Sequence, residues 1–407
     1  PVHMFYSGST QIKNNILGVK GIAGHYTVDT GDGLVMIDAG SQLDIETTYA
    51  EIKKWRPDTP VKAAIFTHHH VDHIFAVKHF DEENKKMGIS KPIVYGHELM
   101  PDHFDRYIKT NDWNTAINRR QFAIDVEHFK WPTEYRYPDV TYKDDISFKC
   151  GDLTFNLHHA RGETDDHTWI HIPEEKLIAP GDLFIWAVPN GGNPQKVQRY
   201  ISDWADALDE MLKLECEIFL PGHGFPILGK KRIEKALETT SKFLRSIEDQ
   251  TLKLMNQGKS LNQVLHEVEI PNDLMELPWL TPIYDDPQFL IRMIWRRYGG
   301  WWDGEYDRLL PAPRKEEALA WVELSNGIDN IILKALENLN KGNLKVAAQL
   351  IETAFHADND NDQMHDARAK IYREFSLKQS SSMGRNILNH ASMASAQGKR
   401  DLAQTED

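Results

Sequence analysis

A short segment of this sequence carries four metal-ligand side chains at fixed offsets. The text THHHVDH contains the spacing H-x-H-x-D-H, formed by His68, His70, Asp72 and His73. In a loop, residues 68 and 70 can point to one side and chelate one cation, while Asp72 and His73 turn towards a second. The segment therefore predicts a two-metal centre rather than a solvent-exposed polar loop. His69 lies off the pattern, and an exposed position is the alternative for it.

Predicted strands upstream of these ligands would deliver them to one place. Val61–Phe66 (VKAAIF) is an apolar run suited to a buried strand, and it ends at the histidine segment. Lys176–Ala179 leads into Asp182 (PGD), and Glu217–Leu220 (EIFL) leads into His223 (PGH). Because the loops after the strands of an α/β sheet collect at one edge, we expect these polar clusters to converge.

The rest of the chain predicts strands and helices up to about residue 228 and helices after it. Residues 21–41 are predicted to form a β-hairpin with its turn at DTGDG. Helices are predicted at 45–56 and 74–86, and a strand at 151–157. The later helices are predicted at 229–257, 259–268, 287–298, 315–340, 343–356 and 361–377. We therefore predict a metal-binding α/β domain over 1–230, a helical domain over 231–390 and a flexible tail over 391–407.

Composition narrows the class of protein. The net charge of -14 disfavours nucleic acid and anionic membranes, which are bound through basic patches, and leaves a small molecule as the expected substrate. Since Cys150 and Cys216 are the only cysteines, a metal must rest on histidine and carboxylate. No run of about 18 apolar residues is present to span a bilayer. The first residues show no secretory signal, so we expect a cytoplasmic protein, or a secreted or periplasmic one if a signal has been removed.

The spacing H-x-H-x-D-H resembles the signature of the metallo-β-lactamase superfamily, and further motifs of that family follow in order over residues 22–228. By this resemblance, Asp182 in APGD matches the carboxylate that bridges two metal ions, and His223 in PGHG matches the last ligand. Asp38 in IDAG matches an aspartate that supports the ligands from behind or is structural. The predicted ligands are His68, His70, Asp72, His73, Glu163, Asp182 and His223.

The third ligand position departs from the usual pattern of the superfamily. In HARGETDDH a glutamate, Glu163, stands where a histidine is usual. Two divalent ions with three carboxylates and a bridging hydroxide are formally neutral, whereas a histidine here would leave one positive charge. In the alternative interpretation Glu163 lies outside the ligand set, and His159 or His167 replaces it.

A glutamate at this position is typical of one branch of the superfamily, the alkylsulfatases. Residues 295–304 (WRRYGGWWDG) resemble that branch's R-Y-x-G-W-x-D-G segment, and 310–313 (LPAP) resemble the proline-rich stretch after it. The helices over 315–378 resemble its dimerisation domain, and 385–388 (RNIL) resemble a motif near its end. The resemblance implies an αββα metallo-β-lactamase sandwich with the catalytic site, followed by an all-α helical dimerisation domain, and a homodimer or higher homo-oligomer.

The same resemblance implies hydrolysis of sulfate esters with two Zn2+ ions, or with Mn2+ or iron instead. A hydroxide that bridges the two metals would be the nucleophile, with Asp72 as a catalytic residue as well as a ligand. Arg199 is the first candidate to bind the sulfate group and assist the reaction, because its planar fork of donors suits oxyanions, and Asn190 and Asn193 are further candidates. The alternative for Arg199 is a surface position at the start of a helix.

One feature of the alkylsulfatases is missing. They carry a histidine shortly before the R-Y-x-G-W segment that is thought to assist the leaving group, and residues 284–289 (YDDPQF) contain none. Since an alkoxide leaves poorly without a proton donor, Tyr284 is our catalytic candidate, with Asp285 or Asp286 as alternatives. The missing histidine also favours an alternative function, the hydrolysis of a lactone, another carboxylic ester or a phosphoester. An alternative from a different class is a helical interaction protein with a vestigial metal site.

Overall fold

Two facing β-sheets form the core of the first part of the chain. The structure, a computed structural model, describes residues 8–124 and 129–403. The first sheet contains, in spatial order, β1 (Gly8–Lys13), β2 (Ile16–Lys20), β3 (Gly24–Asp29), β4 (Leu34–Ile37), β5 (Val61–Ile65), β6 (Ile93–His97) and β7 (Val140–Tyr142). The second contains β8 (Asp145–Cys150), β9 (Leu153–His159), β10 (Thr168–Ile172), β11 (Leu177–Ile185), β12 (Ile218–His223) and β13 (Ile227–Leu228), with β13 and β8 at its edges.

Apolar side chains of both sheets fill the space between them. Val28 and Ile65 from the first sheet pack with Phe155 and Ile170 from the second in one buried cluster. All nine residues of β11 are buried, as expected for a central strand that is covered on both faces. The inter-sheet core therefore holds the strands that carry the predicted ligands.

Helices cover the outer faces of the two sheets. Trp204 and Phe243 pack with Ile178 and Phe219 of the second sheet. The helices before residue 300 are α1 (Ile45–Trp55), α2 (Val77–Met87), α3 (Met100–Lys109), α4 (Asn111–Phe122), α5 (Ile201–Met211), α6 (Lys230–Asn256), α7 (Leu261–Glu267), α8 (Asn272–Met275) and α9 (Pro287–Gly299). Of these, α4 belongs to the second compact unit described below. The predicted αββα sandwich is confirmed.

The last hundred residues are helical, as predicted. Their helices are α10 (Arg314–Leu324), α11 (Ile328–Asn340), α12 (Leu344–Ala357), α13 (Asp362–Leu377) and α14 (Ser382–Ala396). Ile332 and Ala335 of α11 pack with Ala347 and Ile351 of α12 in a buried cluster, as in paired antiparallel helices. Among the described helices, none combines the length and the apolar character needed to cross a bilayer.

The described chain divides into two compact units. The first lies within Pro1–Lys109, Pro132–Thr281 and Pro287–Gly300, and the second within Thr110–Trp131, Pro282–Asp286 and Trp301–Asp407. Helices α6 to α9 lie in the first unit, although the sequence places them in the helical domain. The domain boundaries at residues 230 and 390 stay predictions.

The single helix predicted over 315–340 is wrong, because α10 and α11 are separate helices. Asn326 and Gly327 lie between them with positive φ angles of 57° and 120°. Asparagine and glycine adopt this left-handed backbone more readily than other residues, and it stops an α-helix. The dipeptide Asn-Gly was therefore the signal for the break.

Helix α14 begins in the predicted helical domain and continues into the predicted tail. Ser381 begins it by accepting a hydrogen bond from the backbone N–H of Gly384 at 3.1 Å. Ser392 and Ser395 are buried, and Ser392 Oγ donates to the carbonyl of Ala369 at 2.7 Å. The serines that suggested a flexible tail thus pack inside the unit. Residues 391–396 of the predicted tail are helical, and residues 404–407 lie outside the described residues.

Candidate metal centre

One loop, after β5, carries four of the predicted ligands, His68, His70, Asp72 and His73. Asp38, directly after β4, holds this loop by accepting hydrogen bonds from Thr67 N at 2.8 Å and Thr67 Oγ1 at 2.9 Å. The second carboxylate oxygen of Asp38 also lies 2.8 Å from Nδ1 of His73. A carboxylate at Nδ1 fixes the ring so that Nε2 faces away from it, towards a cation. Asp38 itself has a positive φ of 58°, which is uncommon for a residue other than glycine.

The first ligand group joins two histidines to two carboxylates. One nitrogen or oxygen from each residue lies within 4.8 Å of the others in the group His68, His70, Glu163 and Asp182. His68 Nε2 is 2.9 Å from His70 Nδ1 and 3.9 Å from Asp182 Oδ2. His70 Nδ1 is 3.7 Å from Glu163 Oε1. Glu163 comes from the loop between β9 and β10, and Asp182 lies inside β11 rather than after it.

The second ligand group lies on the other side of Asp182. It consists of Asp72, His73 and His223, again with ligand atoms within 4.8 Å of one another. His223 Nε2 is 3.3 Å from both Asp72 Oδ2 and Asp182 Oδ2, and His73 Nε2 is 3.5 Å from Asp182 Oδ1. The structure therefore brings the seven predicted ligands together, with Asp182 between the two groups.

Gly222 lets the loop of His223 approach Asp182 closely. A Cβ atom at residue 222 would lie 2.0 Å from Asp182 Oδ1 and 2.8 Å from the backbone of Gly181. No side chain fits there without moving the carboxylate. In the segment PGH, the glycine before the ligand His223 thus leaves the space that the carboxylate of Asp182 in PGD occupies.

Several buried polar atoms of the site fit divalent cations. His73 Nε2, Glu163 Oε2 and Asp182 Oδ1 are buried and have no hydrogen-bond partner among the described residues. Buried polar groups are nearly always paired, and imidazole nitrogens and carboxylate oxygens are preferred ligands of zinc. The donor set therefore fits metal ions.

The pKa values of the proposed ligands reflect burial and the closeness of several carboxylates. Burial raises the pKa of the Glu163 carboxyl to about 8, although Arg199 opposes the rise. Burial alone would lower the pKa of His223, but the charges of Asp182 and Asp72 outweigh it and raise the pKa to about 10. Three carboxylates in one buried space call for compensating positive charge, which two divalent cations would supply.

Arg199 lies inside the protein, in contact with Glu163. Its Nη1 donates to Glu163 Oε1 at 2.6 Å and also to the carbonyl of Asn190, whose side-chain amide donates to the same Glu163 oxygen. Arg199 is only 2% exposed, so the alternative of a surface arginine is wrong. Asn190 and Asn193, the other predicted substrate-binding residues, are buried as well.

His69 is buried, which contradicts the alternative of an exposed residue. Its Nδ1 lies 2.9 Å from Asp166 Oδ1, its backbone N–H donates to Asp166 Oδ2 at 3.0 Å, and its Nε2 is 3.2 Å from Arg106 Nη2. Since arginine only donates and an ionised carboxylate only accepts, Nδ1 carries the proton and Nε2 accepts. His103 and Asp166 could form a third cation site with His69 by distance alone. Arg106 occupies the lone pair that a cation would need, so this cluster is a hydrogen-bonded support.

Two other histidines were alternatives to Glu163 as ligand, and their contacts point elsewhere. His167 Nε2 accepts a hydrogen bond from the backbone N–H of Asp182 at 3.1 Å. His159 Nε2 lies 2.8 Å from the carbonyl of Asp165, and its ring stacks on His97. Neither belongs to the two ligand groups, whereas Glu163 does.

Sequence reasoning missed Lys196 and Asp166. Lys196 is partly buried, and burial together with the nearby charge of Arg199 lowers its pKa to about 7. Asp166 joins the loop of Glu163 to the loop of His69. A single lysine or aspartate without a motif carries no signal, although both lie within four residues of a predicted site residue.

Tyr284, the predicted proton donor, lies in the second compact unit. Its hydroxyl accepts a hydrogen bond from Gln121 Nε2 at 2.8 Å, and its carbonyl accepts one from Ser381 Oγ at 2.6 Å. The neighbouring alternative Asp285 is fully buried. The role of Tyr284 stays a prediction.

Two family models match this chain. The model described as metallo-beta-lactamase superfamily matches residues 26–223, and the model described as alkyl sulfatase dimerisation matches residues 260–398. The first range contains all seven predicted ligands, and the second contains α10 to α14.

Characterised relatives and a solved structure match most of the chain. It is 25% identical to a linear primary-alkylsulfatase of Pseudomonas sp. (strain ATCC 19151), and the alignment covers 85% of this chain and 69% of that protein. It is 23% identical to an alkyl/aryl-sulfatase of Saccharomyces cerevisiae, over 96% of this chain and 64% of the relative. The structure of the stereoselective inverting sec-alkylsulfatase Pisa1 from Pseudomonas sp. aligns with a TM-score of 0.87 at 21% identity, over 96% of this chain and 66% of that one.

The solved structure establishes the likeness of fold, and the chain spans roughly two thirds of the length of these relatives. The two family models cover complementary parts of the chain, in the order that the resemblance implies. The chain therefore carries a region that matches the metallo-β-lactamase superfamily, followed by a region that matches the alkyl sulfatase dimerisation family, and it is similar over most of its length to proteins named alkylsulfatases.

Proposed function

We propose that this chain is a metal-dependent hydrolase of sulfate esters. The observation that carries the proposal is the convergence of seven ligand side chains into two adjacent groups, with Asp182 between them. Relatives named as alkylsulfatases support sulfate esters as the substrate class. Since the chain spans only part of those relatives, the activity of the whole protein is part of the proposal.

Zinc is the metal that we propose for both positions. His68, His70 and Glu163 would hold one ion, Asp72, His73 and His223 the other, and Asp182 would contact both. When bound, the two cations would lower the pKa of water towards about 7 and withdraw negative charge from the ester. The Nε2 atoms of His73 and His223 face Asp182, as this arrangement requires.

The chain's own residues would bind the ester and supply a proton. Asn190, Asn193 and Lys196 belong to the segment between β11 and α5, and we propose that Lys196 binds the anionic sulfate group in its protonated form. Tyr284 is the proposed proton donor to the leaving oxygen.

Metal content and turnover of ligand variants test the metal centre. We expect two zinc ions per chain, and Asp72→Ala is expected to abolish turnover and lower zinc content, because Asp72 Oδ2 lies 3.3 Å from His223 Nε2. The matched control is Asp32→Ala, which removes an exposed aspartate paired with Lys62 and should change neither measurement. Less than one zinc per chain after clean purification would support the vestigial site instead.

A substrate panel separates the two enzyme hypotheses. The leading proposal expects the highest kcat/KM on an alkyl or aryl sulfate, with release of inorganic sulfate. The absence of a histidine over residues 284–289 favours a second candidate, the hydrolysis of a lactone, another carboxylic ester or a phosphoester. A higher kcat/KM on one of these would replace the leading proposal.

We also propose that the chain forms a homodimer through an apolar surface in its second unit. Nearly every residue of α10 is exposed, including Leu319, Trp321 and Leu324, and Trp301 and Leu310 before it are exposed too. Exposed apolar patches of this kind mark interaction sites. A second copy is the proposed partner because α10 lies within the residues that match the alkyl sulfatase dimerisation model.

A further inference from the structure

Arg199 contacts a predicted metal ligand, Glu163. We infer that Arg199 is a positioning residue that orients the carboxylate of Glu163 towards a cation. The inference rests on the proposed metal centre, and it assigns to Arg199 the role of a partner for the unusual glutamate ligand. It depends on the contacts of Arg199, on the backbone around it and on the balance of buried charge.

The hydrogen bonds of Glu163 hold one of its carboxylate oxygens and leave the other without a donor within the described chain. Oε1 accepts from Arg199 Nη1 at 2.6 Å and from the side-chain amide of Asn190. Oε2 is buried and has no hydrogen-bond partner among the described residues. Oε1 is also the oxygen that lies 3.7 Å from His70 Nδ1, so the two donors fix the carboxylate beside the ligand group and leave Oε2 without a competing donor from the part of the chain that the structure describes.

The backbone holds Arg199 and Glu163 in register. The N–H of Tyr200, the residue after Arg199, donates to the carbonyl of Gly162, the residue before Glu163, at 2.9 Å. The same Nη1 that contacts Glu163 also donates to the carbonyl of Asn190. Arg199 is therefore anchored at its backbone and at its guanidinium, which makes it a fixed support rather than a side chain that swings towards a substrate.

The charge balance explains why glutamate and arginine occur together. Both side chains are only 2% exposed, and a buried carboxylate without a partner is strongly unfavourable. A histidine ligand, usual at this position in the superfamily, binds a cation as a neutral group and needs no cationic partner. The requirement for Arg199 should therefore depend on Glu163.

A double-mutant cycle on zinc binding tests this dependence. The proteins are the full chain and its variants Arg199→Met, Glu163→His and the double variant, and zinc Kd is measured by competition with a chromophoric chelator. Arg199→Met is expected to raise the Kd of one of the two zinc ions about 10-fold to 100-fold, the usual effect of losing a residue that orients a ligand. In the Glu163→His background the same substitution should change Kd by less than about threefold. Equal effects in both backgrounds would overturn the inference.

A second measurement distinguishes positioning from sulfate binding and covers variants that fold poorly. At saturating zinc, Arg199→Met should leave the KM for the sulfate ester within about threefold, whereas a sulfate anchor would raise KM and leave zinc Kd unchanged. Arg199→Lys keeps the charge and one donor, so it should bind zinc more tightly than Arg199→Met, and equal affinities would contradict the inference. If Arg199→Met or Glu163→His does not fold, the Arg199→Lys variant is compared with the unaltered chain instead. An unchanged zinc Kd together with a raised KM for the sulfate ester would overturn the inference.

The matched control is Arg297→Met, which removes another arginine with an ion pair, to Asp203 at 2.7 Å, and should leave zinc Kd unchanged. Zinc affinity is measured without any ester. A chain that binds zinc as expected but fails to hydrolyse sulfate esters would therefore refute the proposed function and leave this inference standing.

Discussion

Two of the proposed histidine ligands, His73 and His223, are each oriented by a hydrogen-bond partner. Asp38 lies at Nδ1 of His73, and the carbonyl of Ile22 lies 3.0 Å from Nδ1 of His223. Both contacts use the ring nitrogen that faces away from the ligand groups. The supporting partners fix the ring orientation and leave Nε2 for a cation, and such partners commonly govern metal affinity.

Asp38→Asn tests this support. The amide keeps an oxygen for Thr67 but removes the negative charge beside His73, so zinc affinity should fall about 10-fold to 100-fold while the fold is retained. Zinc Kd is measured by chelator competition, and circular dichroism checks the fold. Asp32→Asn, at an exposed ion pair with Lys62, is the control. Equal zinc affinities of the two variants would show that Asp38 does not orient His73.

At the scale of elements, the ligand loop after β5 is attached to the loop between β9 and β10. Asp166 accepts the backbone N–H of His69 and contacts its ring, while Glu163 comes from the same β9–β10 loop. One carboxylate thus sets the relative position of loops that belong to different sheets. This attachment explains why His69, between two ligands, is buried.

Asp166→Ala should loosen both loops. Loss of two buried hydrogen bonds, with His69 left partly unpaired, is expected to lower the free energy of unfolding by about 1–3 kcal/mol and to weaken zinc binding. Urea unfolding with and without zinc measures the two effects. The control is Asp145→Ala, which removes an exposed aspartate that lies 3.0 Å from a histidine, His158. This variant should change the free energy of unfolding by about 1 kcal/mol or less. A similar loss in both variants would argue against a special role for Asp166.

At the scale of the whole molecule, the second unit leaves large apolar side chains of α10 exposed. Ala318 is the one buried residue of α10, whereas α11 and α12 bury apolar faces against each other. An exposed tryptophan and two exposed leucines on one short helix are typical of a surface that binds a partner. The proposed homodimer would cover this surface.

The double variant Trp321→Glu with Leu324→Glu should convert the dimer to a monomer. Each loss of a central interface residue costs about 2 kcal/mol or more, so the dimer Kd should rise at least about 30-fold for each substitution. Sedimentation equilibrium measures the change. Leu43→Glu, which alters an exposed leucine in the sheet-containing unit, is the control and should keep the mass of the unaltered chain. A dimer that survives the double variant would place the interface elsewhere.

The strands, the helical second part and the four candidate ligands of one loop follow from local patterns in the sequence, whereas the αββα layers and the ligand roles of Glu163, Asp182 and His223 follow from the family resemblance. The H-x-H-x-D-H spacing brings four ligands together within one loop, and the apolar runs before Asp182 and His223 predict the strands that carry them. Patterns of this kind are local, because a few neighbouring residues define both the element and the direction of its side chains. The break between α10 and α11 had a local signal too, in Asn326 and Gly327.

Only the tertiary structure decided which residues support the ligands. The pairs Glu163 with Arg199 and His69 with Asp166 join residues 36 and 97 positions apart, and α14 packs serines that the sequence presents as tail. Such contacts depend on how loops and helices meet after folding. A spacing rule extends over a few residues along one element, whereas the charge and hydrogen-bond partner of a buried side chain are set by whatever distant segment packs against it.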